Sequence, residues 1–448
     1  MPADARSADS DRDGRARALE PLAHRDFRWL IAGRSTSYLG NAVAPIALAF
    51  AVLDLTGSVS DLGWVVGARS VANVALLLFG GVVADRLPRA LVLSASCAAA
   101  ALTQGAVAGL VLTGTATIGW LVVLGAVNGA VSAMAFPAAA ALTPQTVPQS
   151  LVRPANALLR LSTSSALVGG AAVGGVLVAA VGPGWGIAVD AIMFAAAGAL
   201  FSRIRVAEVH AGSGGEEGPS TWRQLREGWG EFTQRQWVWV VVLQFMVVNA
   251  SLTGGIAVLG PAVADDSFGR RAWGFVLAAQ TLGMVVGGLI ALRWQPRHAL
   301  RYGVALTSLT AVPLLVLAHA PTAFVLAVTM LADGIAIEQF GVAWDVSLQQ
   351  NVPAERLARV YSYDAVGSFV AIPVGQMLVG PIAGHVGVEA TLTGVAVLVV
   401  LATVAALASG SVRGLRRADA PSPKDVVSGP HAPGQHRPDE PGHQPAEV

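Results

Sequence analysis

Five candidate functional residues are ionisable side chains inside long apolar stretches of the chain, where each charge costs several kcal/mol. They are Arg34, Arg69, Asp190, Asp333 and Glu338. A carboxyl group in such surroundings can carry a proton, because its neutral form tolerates an apolar interior far better than the carboxylate does. An arginine there needs a carboxylate or a water-filled cavity beside it. These residue types therefore predict proton transfer, or internal ion pairs, inside a membrane.

Asp333 and Glu338 are the strongest candidates for proton coupling, because both lie in the middle of one apolar stretch. Their separation turns them roughly 140° apart on a helix, so they do not share a face. Glu338 and Asp345 are two turns apart and do share one. We expect at least one of Asp333 and Glu338 to couple protons, and a fixed ion pair with an arginine is the alternative.

The other three ionisable residues are candidates for intramembrane ion pairs. Arg34 lies near one end of its stretch, where a long side chain can reach the polar surface and serve as an anchor. Arg69 lies closer to the middle, which favours a functional or gating ion pair. Asp190 is a few residues inside the end of its stretch, and we expect structural capping or pairing there.

Polar side chains without charge also occur inside the apolar stretches. Five of them are candidates for contact with a small-molecule substrate, because they lie on the first, fourth, seventh and tenth spans, which the family resemblance given below implies are the helices that line a substrate cavity: Asn41, Asn128, Gln244, Asn249 and Gln339. Hydrogen bonds between helices are the alternative for each of them. The histidines fall in tails, loops or near helix ends, and the single cysteine is Cys97, so we expect no metal site and no cofactor. The only lysine is Lys424 in a polar tail, which excludes a P-loop nucleotide site.

The elements that position these residues must be membrane-spanning helices. The chain has 448 residues, of which 54% are hydrophobic and 13% charged, whereas soluble proteins carry about 25% charged residues. At roughly 20 apolar residues per span, the length suits about twelve helices and no large soluble domain. The sequence therefore predicts an all-α protein of the lipid bilayer. A net charge of +1 gives no case for nucleic acid as a partner.

Composition divides the chain into five segments. A polar segment with no apolar core suited to a signal peptide comes first, and it reads as a cytoplasmic tail. A Gly/Glu-rich stretch followed by Trp222, Leu225, Trp229 and Phe232 predicts an amphipathic helix in a central linker. The polar, Pro-rich end of the chain predicts disorder. The segments are an N-terminal tail 1–24, a six-helix half 25–205, a cytoplasmic linker 206–236, a second six-helix half 237–410 and a C-terminal tail 411–448.

An internal repeat supports two halves in the same orientation. Val147-Pro148 recurs as Val352-Pro353, an offset of 205 residues, and six helices between the copies keep them parallel. Arginines gather in turns that alternate to one side together with both termini. The excess of positive charge on that side predicts that both termini are cytoplasmic.

A short loop motif follows the second span. Gly81, Asp85, Arg86 and Arg89 keep the spacing Gly-x-x-x-Asp-Arg-x-x-Arg. It resembles the loop between the second and third helices of the major facilitator superfamily. The resemblance implies twelve helices in two parallel halves that rock about a central site, with this loop as a gate. Asp85 is suited to face the positive N-terminus of the eleventh helix, and the arginines are suited to hold the loop at the cytoplasmic side.

Small residues in the fifth and eighth spans form a second motif. Gly170, Gly174 and Gly175 resemble the pattern that marks drug–proton antiporters of the superfamily, and Gly283 and Gly287 lie in the eighth span. Such spacing lets helix backbones touch. The resemblance implies a packing seam where these two helices meet, and plain helix packing without directional meaning is the alternative.

Two further segments resemble the bacterial exporter branch that includes macrolide and siderophore efflux proteins. They are Asp26-Phe27-Arg28-Trp29-Leu30 and the turn from Val352 to Val360. The resemblance implies a transporter, not an enzyme, in the bacterial inner membrane, which exports a small amphipathic compound such as an antibiotic in exchange for protons. We expect a monomer. The alternatives are an uptake symporter on the same fold and a polytopic membrane enzyme.

Overall fold

The computed structural model describes residues 19–86, 88–205, 230, 232–294 and 296–415. Every regular element in these ranges is helical, and twelve long helices follow one another along the chain. They are α1 (Arg25–Thr56), α2 (Val59–Arg86), α3 (Arg89–Leu112), α4 (Ile118–Thr146), α5 (Val152–Val181), α6 (Pro183–Phe201), α7 (Gln236–Ser267), α8 (Arg270–Arg293), α9 (Ala299–His319), α10 (Ala323–Asn351), α11 (Ala354–Val386) and α12 (Val388–Ala408).

Eleven of these helices contain stretches long and apolar enough to cross a membrane within the described ranges, and α2 adds a helix of 28 residues. The predicted all-α membrane fold with twelve transmembrane helices is therefore confirmed. The parts of the predicted tails and linker at 1–18, 206–229, 231 and 416–448 lie outside the described residues. Trp222, Leu225 and Trp229 are among them.

Tight turns join successive helices where the repeat places glycine. Gly182 links α5 to α6 with φ of 89°, and Gly387 links α11 to α12 with φ of 90°. A positive φ of this size is easily adopted only by glycine. The two turns are 205 residues apart, the same offset as the Val-Pro repeat. The sequence repeat therefore corresponds to a repeat in backbone conformation.

The two halves use the same packing scheme. In the first half, α1 packs on α5 and α6, α2 on α4, and α3 on α4 and α6. In the second half, the helices six positions later make the same pairs: α7 with α11 and α12, α8 with α10, and α9 with α10 and α12. The contacts that join the halves repeat too, since α5 packs on α8 and α2 packs on α11.

Two local irregularities modify the second half. The middle of α7 is a π-helical segment, Thr253–Leu259, in which Gly254 lies against the backbone of Gly375 on α11. A short helix, Gly410–Gly414, also continues past residue 410, where the sequence predicts a disordered tail. Its Val412 is fully buried in a cluster with Trp237 and Leu300, so this turn belongs to the folded bundle.

Candidate functional site

The two halves touch closely near one end of the bundle. We call the end that carries the described chain ends the terminal face and the other end the opposite face. A Cβ placed on Gly175 would lie 2.7 Å from the Cα of Gly274, so α5 and α8 meet backbone to backbone. A Cβ on Gly380 of α11 would lie 2.6 Å from the Cα of Ser60, at the start of α2. Both close approaches lie toward the opposite face.

Four of the five glycines predicted for the seam face helices of their own half. Gly170 and Gly174 lie against Leu39 and Val43 of α1. Gly283 and Gly287 lie against α10, at the backbones of residues 331 and 335. Gly175 lies at the seam between the halves. The reason is geometric, because residues four apart share a helix face whereas Gly174 and Gly175 are turned about 100° from each other.

An ion-pair cluster ties the halves together at the opposite face. Arg270, the first residue of α8, donates to both carboxylate oxygens of Asp54 on α1, at 2.5 and 2.9 Å. It also donates to both oxygens of Asp265 on α7, each at 2.7 Å. Its guanidinium carbon lies 4.8 Å from the ring centroid of Phe50. We call Asp54, Asp265 and Arg270 the Arg270 clasp; the sequence analysis did not assign it a role.

Toward the terminal face, α1 and α2 of the first half and α10 and α11 of the second carry polar and charged side chains, and we call the region between these two sets the central cleft and the sets its walls. On the N-terminal wall, α1 presents Arg34, Tyr38 and Asn41, which fall on one stripe because they are spaced by four and three residues. Arg34 donates to the Tyr38 hydroxyl at 3.4 Å. Arg69 reaches across from α2 and donates to the Asn41 side-chain oxygen at 3.3 Å. The structure thus brings together three of the predicted residues: Arg34, Asn41 and Arg69.

Asp190 lies directly behind this wall. It is 0% exposed, and its Oδ2 accepts a 2.5 Å hydrogen bond from Gln104 of α3. Its Oδ1 has no hydrogen-bond partner among the described residues. The oppositely charged group that acts on it is Arg69. Asp190 and Arg69 are therefore electrostatic neighbours, as the prediction of ion-pair candidates requires, although no ion pair within 4.0 Å joins these two described side chains.

The C-terminal wall is acidic. Glu338 and Asp345 share a face of α10, and the opposite charge that acts on Glu338 is Arg160 of α5, in the other half. This face of α10 therefore looks across the cleft. Asp345 accepts a 3.1 Å hydrogen bond from the Tyr361 hydroxyl of α11. Asp364, also on α11, accepts one of 2.9 Å from the indole nitrogen of Trp344.

Sequence reasoning missed Asp364 and Arg160. Asp364 falls inside the predicted eleventh span, so the rule that singled out Asp333 applied to it equally. Arg160 lies in the fifth span, a few residues inside its terminal-face end. The same rule covered it as well.

Asp333 occupies a different environment from Glu338. It is 0% exposed and lies between α8, α9 and α10. Gln280 donates to one carboxylate oxygen at 2.9 Å, and Thr310 donates to the other at 2.6 Å. Both oxygens are thus held by neutral donors within the second half, away from the cleft wall on which Glu338 lies.

The five amide candidates also fall into two groups, one exposed at the cleft and the other hydrogen-bonded within a half. Asn41 is exposed on the N-terminal wall. The other four donate within their own halves: Asn128 to Thr103 at 3.1 Å, Gln244 to Thr307 at 2.7 Å, Gln339 to the Gly287 carbonyl at 2.7 Å, and Asn249 to the Ser368 carbonyl at 3.0 Å. These bonds are of the interhelical kind that was the alternative to substrate contact.

The predicted gating loop is described in part. The motif falls where α2 ends and α3 begins, with Arg89 as the first residue of α3. The side chains of Asp85 and Arg86 and the surroundings of Gly81 lie outside the described part of the structure. The role of Asp85 as a latch therefore stays a prediction. No group of three potential metal ligands occurs among the residues that were described.

The bundle consists of two repeated halves that ion pairs join at one face and that carry polar and charged side chains toward the other face. This arrangement is that of a membrane transporter. The chain belongs to the Major Facilitator Superfamily, whose model matches residues 30–375. It is 24% identical over 401 residues to the multidrug efflux pump Tap of Mycolicibacterium fortuitum, covering 86% of this chain and 96% of that protein. These findings confirm the resemblance noted from the motifs, and they confirm a transporter rather than an enzyme.

Solved structures support the same fold. The nucleoside transporter NupG superposes with a TM-score of 0.70 at 13% identity, over 86% of this chain and 98% of that one. A bacterial homologue of the human lysosomal transporter Spinster, in an inward-facing and unoccupied conformation, gives 0.69 at 14% identity over 87% and 96%. A bacterial homologue of the iron transporter ferroportin gives 0.66 at 15% over 86% and 98%. Identities this low establish the fold alone.

Proposed function

We propose that this transporter exports a small amphipathic organic compound, such as an antibiotic or a siderophore, in exchange for protons. The observation that carries the proposal is the similarity to an efflux pump over nearly the whole length of both chains. The glycine pattern of α5, which resembles that of drug–proton antiporters, supports the same direction of transport. The structural relatives named above transport several kinds of substrate, so they do not narrow the substrate class.

The geometry favours alternating access. The Arg270 clasp and the close approach of α5 and α8 hold the two halves together at the opposite face. Rocking the two halves about the centre would break the clasp and bring Arg160 toward Glu338. The same residues would then be reached from one side of the membrane at a time, as export against a gradient requires.

The distribution of arginine supports an orientation with the terminal face in the cytoplasm of a bacterial inner membrane. Turns at the terminal face carry many arginines, whereas Arg270 and Arg271 lie at the opposite face beside Asp265 and Asp266. In this orientation a cleft open at the terminal face would take up the compound to be exported from the cytoplasm. We propose that the protein acts as a monomer.

Glu338 is the proposed proton carrier of the second half. Its carboxyl lies on the cleft wall and its opposite charge, Arg160, is in the other half, so protonation changes the attraction between the halves. Asp333 lacks this link, because neutral donors within one half hold both its oxygens. We expect Glu338→Gln to abolish proton-driven export and preserve exchange of substrate without a gradient, and Asp333→Asn to have the smaller effect.

The direction of transport is tested in inverted membrane vesicles. A strain expressing the protein is first screened against antibiotics and siderophores to choose a probe compound. An exporter accumulates that probe in inverted vesicles whose interior is acidified, and Glu338→Gln vesicles do not. Accumulation only in right-side-out vesicles with an acidified exterior would favour the uptake symporter. If the Glu338→Gln, Asp333→Asn double variant still concentrates the probe, neither carboxyl is the proton carrier.

A further inference from the structure

The environment of Asp190 is not explained by structural pairing alone. A fully buried carboxylate needs a counter-charge or a proton, since an isolated charge in an apolar interior is strongly disfavoured. Gln104 supplies one neutral hydrogen bond to Oδ2, and Oδ1 has no hydrogen-bond partner in the described part of the chain. No arginine of the described ranges is bonded to either oxygen. The observed arrangement therefore suits the neutral acid.

Arg69 can serve either of two partners. Its guanidinium donates to Asn41, yet its charge also acts on Asp190. The backbone of Arg69 is held close to α4, because a Cβ on Gly129 would lie 2.9 Å from the Arg69 carbonyl carbon. The main chain at this position has little room to move. A change of partner from Asn41 in the cleft to the buried carboxyl would therefore require rotation of the Arg69 side chain alone.

Consecutive residues of α1 separate the two partners. A Cβ on Gly40 would lie 2.7 Å from Oδ1 of Asp190, so the absence of a side chain there is what lets the carboxyl approach α1. The next residue, Asn41, is exposed on the cleft wall and accepts from Arg69. Gly40 faces the buried carboxyl and the next residue, Asn41, faces the cleft, and Arg69 is bonded to Asn41 while its charge acts on Asp190.

We propose that Asp190 is a second proton-binding group of this transporter, for which a proton and Arg69 compete. When Asp190 releases its proton to water, Arg69 leaves Asn41 and pairs with the carboxylate. When Asp190 takes up a proton, Arg69 returns to the cleft wall. Only an O–H bond of the carboxyl forms and breaks. The inference rests on the proposed proton antiport, and it would place a proton-controlled cation beside the substrate in the first half.

Among the described residues, the surroundings of Asp190 offer one charged group for this role. The helices packed on α6 are α1, α3 and α5, and α1 and α3 present Gly40 and Gln104 to the carboxyl. Arg69 of α2 is the charge that acts on it. A change in the protonation of Asp190 should therefore act mainly on the position of the Arg69 side chain.

The test uses infrared difference spectroscopy of the full chain in liposomes, between about pH 5 and about pH 9. The signal is the carbonyl stretch of protonated carboxyl groups, and no substrate is needed. Asp190→Asn keeps the shape and the hydrogen bond to Gln104, so it is expected to fold and to lose one component of this band. In Arg69→Gln the Asp190 component of the band is expected to disappear at a pH about one to three units higher than in the parent protein. The reason is that the arginine charge that competes with the proton has been removed.

Glu389→Gln is the control, because that acid is 71% exposed at the opposite face and its loss should leave the Asp190 component unchanged. An unchanged band in Asp190→Asn would overturn the proposal. A component that titrates identically with and without Arg69 would also overturn it. Proton-driven transport is measured separately in inverted vesicles. If the parent protein shows no proton-driven transport but the Asp190 component shifts with pH in Arg69→Gln, the proposed antiport is wrong and the proposed competition is supported. If the parent protein transports but the Asp190 component does not shift in Arg69→Gln, only the proposed competition is wrong.

Discussion

Breaking the Arg270 clasp should release the opposite face. The side chains of Arg270, Asp54 and Asp265 are 24%, 43% and 34% exposed, so each ion pair is screened by water and contributes at the exposed end of the range. The contacts that cross between the halves are the bidentate pair with Asp54 and the arginine over Phe50, and together they contribute about 1–2 kcal/mol, whereas the pair with Asp265 lies within the second half. In Arg270→Ala the population open at the opposite face should therefore rise roughly fivefold to thirtyfold.

The assay is labelling of a cysteine at the seam. Ser60→Cys in a Cys97→Ser background places the only thiol where α2 meets Gly380, and a membrane-impermeant maleimide applied from the opposite face reports opening. Arg270→Ala should speed labelling, and Asp54→Asn should do so to a similar or smaller extent. Adding Asp54→Asn to Arg270→Ala should bring little further change, because both remove the same contact. Added salt should reduce the difference in labelling rate between Arg270→Ala and the parent protein, because salt screens the ion pairs that only the parent retains.

Arg271→Ala is the matched control, since the neighbouring arginine is exposed at the start of the same helix. It should label like the parent protein. If Arg270→Ala and Arg271→Ala give equal rates, the clasp does not hold the face shut. Slower labelling in Arg270→Ala would refute the reasoning outright, because it would mean that the ion pairs favour the open state.

Three further perturbations test other parts of the mechanism. Gly274→Val should force α5 and α8 apart at the opposite face, because a Cβ there would lie 2.6 Å from the Gly175 Cα; a gain in Ser60→Cys labelling is the readout, and none is expected from Gly109→Val, where the space is open. Truncation after Leu415 should leave folding and transport intact, whereas truncation before Val412 should lower the melting temperature because a buried side chain is lost. Asp85→Asn should favour the state open at the terminal face and slow turnover with little loss of substrate affinity, since a charge–dipole contact is worth roughly 0.3–2 kcal/mol; unchanged cysteine accessibility at that face would contradict it.

The order and bounds of the helices could be read from the sequence because their signals are local. Apolar runs of membrane length, glycines that permit positive φ and Pro-containing turns each act within a few residues. The twelve helices that these signals predict correspond to α1 to α12. The short helix around Val412 was not expected, because its stability comes from burial against Trp237, a contact that no local pattern records.

The candidate site was predictable as a set of residue types but not as an arrangement. Periodicity says that Asp333 and Glu338 point in different directions, yet it does not say which direction is the cleft. That depends on the partners Gln280 and Thr310, which come from other helices. Asp54 and Arg270 are likewise 216 positions apart in sequence, and only the packing of the halves makes them a pair.

The two walls of the cleft carry opposite charge, and this constrains how the transporter can cycle. Arg34, Arg69 and Arg160 belong to the first half, while Glu338, Asp345 and Asp364 belong to the second. Bringing the walls together expels water, so the attraction between them strengthens as the terminal face closes. An empty cleft with ionised acids could then close without cargo and return with a proton taken up at the opposite face. Protonation of the acidic wall weakens the attraction and favours reopening of the terminal face. The proposed exchange therefore requires that substrate is bound when the ionised cleft closes and that a proton is bound when it reopens, so that the two cross in opposite directions.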